Sequence, residues 1–146
     1  MRIRAYEPTD AAILSRILRR NAIEVNSRDY PAAVIEALCR DFDTEKIAAL
    51  AENMSFLVSM EGDAVRGFGC ISESFVQLLF VDPAHHREGN GTALLNSLEA
   101  IAESDCVYAN SSLTAEGFYL RRGYVVIGRG ERGRYGAFVG MKKQLG

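Results

Sequence analysis

Two glycines one residue apart, Gly89 and Gly91, stand where an apolar run gives way to an amphipathic one, in Val81-Asp82-Pro83-Ala84-His85-His86-Arg87-Glu88-Gly89-Asn90-Gly91-Thr92-Ala93-Leu94-Leu95. The order reads as a buried strand, a loop and a helix. A glycine loop that opens a helix is an anion cradle. Glycine lets the backbone approach closely, and the first free amides and the positive end of the helix dipole point at the anion. The expected ligand carries phosphate, although a tight strand-to-helix turn uses the same glycines. Spacing narrows the choice. A P-loop needs a lysine after its last glycine, and Thr92 follows Gly91. A dinucleotide fingerprint needs a third glycine where Leu94 stands, and it belongs on the first strand of a repeated βαβ unit.

The chain that must position this loop has 146 residues, one domain's worth, spanning 1–146. A hydrophobic fraction of 48%, a charged fraction of 25% and a net charge of -2 describe an ordinary globular protein with no call for nucleic acid as a partner. The charge is uneven. After Gly117 come Arg121, Arg122, Arg129, Arg132, Arg134, Lys142 and Lys143 against Glu131 alone, a basic face that suits an anion or simply solvent. Cys39, Cys70 and Cys106 are widely spaced and make no C-x-x-C pair, which argues against a disulfide framework or a metal site. Cys70 and Cys106 lie in apolar runs and read as core thiols. The first residues, Met1-Arg2-Ile3-Arg4, have no apolar signal core, and no run reaches membrane-spanning length, so a cytoplasmic protein is expected.

Along the chain, Met1 to Tyr6 reads as a strand and Pro8-Thr9-Asp10 as the capped start of a helix with Ile13, Leu14, Ile17 and Leu18 on one face. A second helix is predicted from Pro31 and a third after Asp43. Phe56 to Met60 and Val65 to Ile71 form a predicted hairpin, followed by a strand over Phe75 to Val81 whose near-continuous apolar character places it centrally. After the glycine loop, Leu94, Leu95, Leu98, Ile101 and Ala102 mark a helical stripe. Cys106 to Asn110 reads as a strand. Ser111 or Ser112 caps a helix running to Arg122 and stopped by Gly123, and Tyr124 to Ile127 and Ala137 to Met141 close the chain as strands. The class is α+β, with one β-loop-α-β crossover and therefore a mixed sheet.

The same residues resemble the GCN5-related N-acetyltransferases (GNAT). That family's acyl-coenzyme A loop reads Gln/Arg-x-x-Gly-x-Gly/Ala after a strand ending near Val-x-Pro. Here Val81-Asp82-Pro83 precedes His86-Arg87-Glu88-Gly89-Asn90-Gly91, with His86 in the Gln/Arg position. A second motif agrees independently: Asn110-Ser111-Ser112, then Ala115-Glu116-Gly117-Phe118-Tyr119, then Gly123-Tyr124. The resemblance covers the whole chain and is most specific over 79–124. It implies the family's acyl-CoA N-acyltransferase fold, a central twisted mixed sheet flanked by helices, and a single acetyltransferase domain.

It also implies a chemistry. Acetyl-CoA would be the donor, no metal is required, and the acceptor is a small-molecule or protein amine. The strand Phe75 to Val81 would splay from the strand ending at Asn110, with Leu79, Phe80 and Val81 along the pantetheine arm. His86, Arg87, Glu88, Gly89, Asn90, Gly91 and Thr92 would hold the pyrophosphate. Asn110 either contacts the cofactor or caps the next helix. Tyr119 would stand near the sulfur as general acid, since a phenol of pKa ~10 keeps its proton until a thiolate of pKa ~8.5 develops. Where relatives carry a catalytic carboxylate this chain has approximately Phe75, and Glu73 is the nearest acid, as base or as solvated loop charge. Gln77 can orient a water. His85 and His86 titrate in the useful range but belong on the pyrophosphate side. Tyr30, between Asp29 and Pro31, lies in the segment that shapes the acceptor pocket or in a surface turn. A non-catalytic acyl-CoA-binding module is the alternative that the missing acid suggests. No membrane or nucleic-acid partner is expected, and a homodimer is compatible with the sequence without being legible in it.

Overall fold

Phe56, Val58 and Met60 share one face of their strand at a two-residue period, and the first helices fold against that face. The computed structural model describes residues 1–146. Its strands are β1 (Arg2–Ala5), β2 (Ser55–Glu61), β3 (Ala64–Ser72), β4 (Phe75–Val81), β5 (Cys106–Ser111), β6 (Val125–Glu131) and β7 (Ala137–Gln144). They form one sheet in the order β1-β2-β3-β4-β5-β7-β6. Every neighbouring pair is antiparallel except β4 and β5, which are parallel and joined through a helix. The strand expected to be central is central.

The helices are α1 (Ala11–Glu24), α2 (Ala32–Asp41), α3 (Thr44–Ala51), α4 (Asn90–Ala100) and α5 (Glu116–Arg121). Asp43 caps α3 by accepting from the Lys46 N–H at 2.8 Å, as its position predicts. Asp10 is buried and held by two bonds from Arg4, at 2.8 and 2.9 Å, and one from the Glu7 N–H at 2.8 Å. The Arg4 guanidinium, more than any other partner, keeps this carboxyl below the usual range. The start of α1 is thereby tied to β1.

One face of the sheet meets α1 and α3, with Leu14, Ile17, Leu18 and Ile47 on Val58, Phe68 and Cys70. The other meets α4 and α5, where Leu95, Leu98, Tyr119 and Tyr124 pack on Val76, Val107, Val139 and Met141. Helix α4 lies close to β3 because Gly67 and Gly69 present no side chain to it. A Cβ at Gly69 would stand 2.8 Å from Leu98 Cδ1, and one at Gly67 3.2 Å from Leu94 Cδ1. Burial pushes the Cys70 thiol up to about 12, so it is inert in the core as expected.

The feature that matters for function is a single extra residue in β4. Against β3 the register runs from Ile71↔Val76 to Cys70↔Leu78, leaving Gln77 as a bulge without a partner. Pairing with β5 stops at the same place, after Phe75↔Tyr108 and Val76↔Ala109. Beyond Gln77 the two parallel strands part.

Three expectations shift. The helix predicted from Ser111 or Ser112 begins at Glu116, and Ser112 Oγ caps the preceding turn by accepting from the Ala115 N–H at 3.1 Å. Ile101 lies past the end of α4 and is exposed, outside the stripe it was expected to extend. Leu79, Phe80 and Val81 are half-buried, because this end of β4 borders a cavity. No helix is long and apolar enough to cross a membrane.

Candidate functional site

Where β4 and β5 part, a cavity of about 610 Å³ opens, a size suited to a sizeable ligand. Leu79, Phe80 and Val81 form one wall; Ser112, Thr114, Ala115, Phe118 and Tyr119 form another. Asn21, Val25 and Asn26 from the end of α1 and the turn after it close a third side. The Asn21 side chain donates to Val81 O at 2.7 Å, and His86 Nε2 lies 2.9 Å from the same carbonyl. The end of β4 stays paired with β3 and lacks a strand on its β5 side, and these two side chains hold its last carbonyl.

The glycine loop sits at the mouth. Arg87 and Gly89 both adopt left-handed backbone, with φ of 66° and 89°, and the chain passes from Gly89 directly into α4. The first helical bond recorded there runs from the Ala93 N–H to Gly89 O, so the amides of Asn90, Gly91 and Thr92 face outward at the positive end of the helix. Asn90 is buried, and its Oδ1 has no hydrogen-bond partner. Gly91 is required by packing as well: a Cβ there would lie 3.1 Å from the Phe118 ring.

Arg122 braces this arrangement from α5. Its Nε donates to Thr92 Oγ1 at 2.8 Å, a second nitrogen also reaches Thr92 Oγ1, and Nη1 donates to Phe118 O at 2.9 Å. The guanidinium carbon lies 3.8 Å from the Phe118 ring centroid, a cation–π contact. Burial and the charge of neighbouring Arg121 lower its pKa, in that order. Around the cavity stand Arg87, Arg121, Arg122, His85 and His86, and no Asp or Glu lines it. In a chain of net charge -2, this is a locally positive chamber with amide donors at its mouth.

Tyr119 forms part of the inner wall and is only 5% exposed. Its ring meets Phe118 and Tyr124 edge-on, with centroids 5.4 and 5.2 Å away. Burial, and secondarily the proximity of Cys70, raise its pKa, so the phenol keeps its proton well beyond neutrality.

Of the residues singled out from sequence, Leu79, Phe80, Val81, His86, Arg87, Gly89, Asn90, Gly91, Thr92 and Tyr119 line this cavity. Four do not. Glu73 occupies the β3–β4 turn, with φ of 58°, and borders a separate groove with Ser72, Ser74, Phe75, Glu103, Ser104 and Tyr108. At about 3.3 Å per residue, β4 separates that turn from the cavity mouth by roughly 20 Å. Glu73 thus lies outside the cavity wall, at the paired end of β4, and the strands open at the other. Glu88 is exposed and approaches His85 Nδ1 at 3.1 Å, while the other ring nitrogen of His85 meets Arg66. Asn110 pairs with Gly140 on β7 and lies outside the cavity wall. Tyr30 is a brace, donating its hydroxyl to Ala137 O at 2.7 Å and accepting from the Leu113 N–H at 2.8 Å.

Sequence reasoning missed Asn21 and Asn26, and it placed Arg121 and Arg122 only in a general basic face. Two signals were present. Asn21 is a polar residue continuing the apolar face of Ile17 and Leu18, and Arg122 is four residues from Phe118, one helical turn away. No group of three or more His, Cys, Asp or Glu is arranged to hold a metal ion.

Residues 22–145 match the family model described as acetyltransferase (GNAT) domain. The chain is 28% identical over 127 residues to the uncharacterized N-acetyltransferase YafP of Escherichia coli (strain K12), covering 87% of this chain and 83% of that one. Among solved structures, a GCN5-related N-acetyltransferase from Rhodopseudomonas palustris superposes with a TM-score of 0.93 at 26% identity, covering 99% and 95% of the two chains. A paia N-acetyltransferase from Thermoplasma acidophilum, solved in complex with coenzyme A, has the same fold, with a TM-score of 0.79 at 18% identity over 98% of each chain. So has yncA from Salmonella typhimurium, solved with its cofactor acetyl-CoA, with a TM-score of 0.73 at 24% identity over 99% and 94%.

Proposed function

Because the chain belongs to the GNAT family and is an N-acetyltransferase, we propose that it moves acetyl from acetyl-CoA directly to an amine in the gap between β4 and β5, with Tyr119 as general acid. The observation that carries this reading is the parting of β4 from β5 at Gln77, which opens a basic, acid-free cavity with a buried phenol in its inner wall.

The residues present suit a coenzyme A donor. Amides of Asn90, Gly91 and Thr92, the orphaned Asn90 Oδ1, and the arginines at the mouth offer hydrogen bonds and charge to a pyrophosphate and its ribose. Acetyl-CoA bound there would supply an electrophilic thioester carbon and a thiolate leaving group. The edge of β4 beyond Val76 has no ladder partner on its β5 side, so its amides are free to polarise a carbonyl. Tyr119 holds a proton throughout the physiological range and can give it to sulfur as charge develops. No carboxylate lines the cavity, so the amine is taken up as free base, its proton already lost to water. No cysteine lines the cavity either, which favours direct transfer over an acyl-enzyme.

The test is thiol release from acetyl-CoA with a panel of amines, alongside calorimetry with coenzyme A. Release that requires an amine and falls in Tyr119→Phe, with coenzyme A affinity kept, is expected. Absence of coenzyme A binding, or full turnover in Tyr119→Phe, would overturn the reading.

A further inference from the structure

Arg132 opens the turn from β6 to β7, where its N–H donates to Gly136 O at 2.9 Å. The side chain folds back over the sheet, with its guanidinium carbon 5.5 Å from the Phe138 ring centroid. Its Nε is buried and has no hydrogen-bond partner. Other arginines of this chain meet acids: Arg4 pairs with Asp10, Arg20 with Asp82, Arg129 with Glu116, and Arg134 with Asp41. Arg132 has no such pair. Burial disfavours its charge, and the group that offsets this is Tyr30, a phenol and not a carboxylate. Arg132 is half-buried, with one guanidinium nitrogen withdrawn from water and no counter-charge beside it, and in a folded protein the usual remedy is a carboxylate partner.

Its position says what the partner is. Val139 and Met141 point into the core beneath α4 and α5, so Phe138 between them faces the opposite side of the sheet. The register pairs Ser111 with Val139, which sets Phe138 level with the chain that leaves β5 at Ser112, a cavity residue one strand spacing away. Tyr30 fastens the same corner, bonding Ala137 O and the Leu113 N–H. Arg132 therefore stands outside the cavity wall but at the end of the sheet where β4 and β5 part, on the face away from α4 and the glycine loop.

We propose that Arg132, stacked on Phe138, binds an anionic group of the acceptor, so that the substrate is an amine that also carries a carboxylate. This rests on the acetyl-transfer reading above. A guanidinium offers paired donors in the geometry that a carboxylate accepts, and the Phe138 ring lies within cation–π range of it. The reaction is unchanged: the amine nitrogen bonds to the acetyl carbon, the carbon–sulfur bond breaks, the sulfur takes the proton of Tyr119, and the proton that the nitrogen sheds restores the phenol.

The experiment compares paired acceptors, glycine with glycinamide and longer ω-amino acids with their carboxamides, at matched free-amine concentrations. Wild type is expected to favour the acid at least 10-fold in kcat/KM. Arg132→Gln should bring the ratio to near one, mainly through KM, and Arg132→Lys should keep part of it. An unchanged coenzyme A affinity in Arg132→Gln shows that the fold and donor site are intact. Equal kcat/KM for acid and amide in wild type, or a ratio preserved in Arg132→Gln, overturns the inference alone. Thiol release with other amines of the panel but with neither member of any pair overturns this inference and leaves acetyl transfer standing.

Discussion

The two ends of β4 are built from one strand and have opposite characters. At its start, Phe75 and Val76 pair with β5, the Phe75 and Tyr108 rings stack 6.5 Å apart, and the adjoining groove is bordered by Glu73, Glu103 and serines. At its end, the partner strand is gone, three arginines and two histidines surround a cavity, and no acid lines it. Composition does not make this difference, since both ends are apolar in sequence. One inserted residue, Gln77, ends the pairing and turns a sheet interior into a binding chamber.

Removing that residue is the largest test of the comparison. With Gln77 deleted, Val76 and Leu78 keep their partners Ile71 and Cys70, and the strand becomes regular. The protein is expected to fold with an undiminished melting temperature and to lose coenzyme A affinity at least 100-fold by calorimetry. Retained affinity would mean that the bulge does not hold the gap.

Tyr119→Phe keeps the cavity and removes its proton donor. A fall in kcat of roughly 100-fold is expected from the usual worth of general acid catalysis, whereas Glu73→Gln at the paired end should leave kcat within about twofold. The pH profile sharpens this. Burial raises the Tyr119 pKa, so the acid form persists to higher pH than for a free phenol. Activity should rise with pH as the acceptor amine loses its proton, with no falling limb from Tyr119 below about pH 10. A falling limb near neutrality that disappears in Tyr119→Phe would contradict the buried phenol.

Gly91→Val tests the mouth through shape. Its Cβ would stand 3.1 Å from the Phe118 ring, so the start of α4 must shift against α5, and coenzyme A affinity should weaken about 10-fold, near 1.4 kcal/mol. Arg87→Ala, removing an exposed charge at the mouth, should cost less, about threefold, and the difference from wild type should shrink as salt screens it.

Much of this molecule is legible residue by residue. Local signals sufficed for Phe75 to Val81 as a strand, Asp43 as a cap and Gly123 as a helix stop, because each depends on side-chain period or backbone conformation within a few positions. The turn from His86 to Thr92 was legible for the same reason: its glycines and the helix start are contiguous. For Glu73 and Tyr30 the sequence left two readings each, base or loop charge and pocket segment or surface turn, because nothing local says which other elements a loop residue will meet. Glu73 lies two residues before β4 and yet at its far end, and the hydroxyl of Tyr30 is already bonded on both sides.

The sequence by itself determined most of the elements, the family and the glycine turn that opens α4, since these follow from short-range pattern and from motifs in one stretch of chain. Only the tertiary structure decided what surrounds the gap. Asn21 on Val81 O, Arg122 on Thr92 and Arg132 over Phe138 bring together residues from separate elements. No local rule records such meetings, because the register of β3 with β4 and of β5 with β7 creates them.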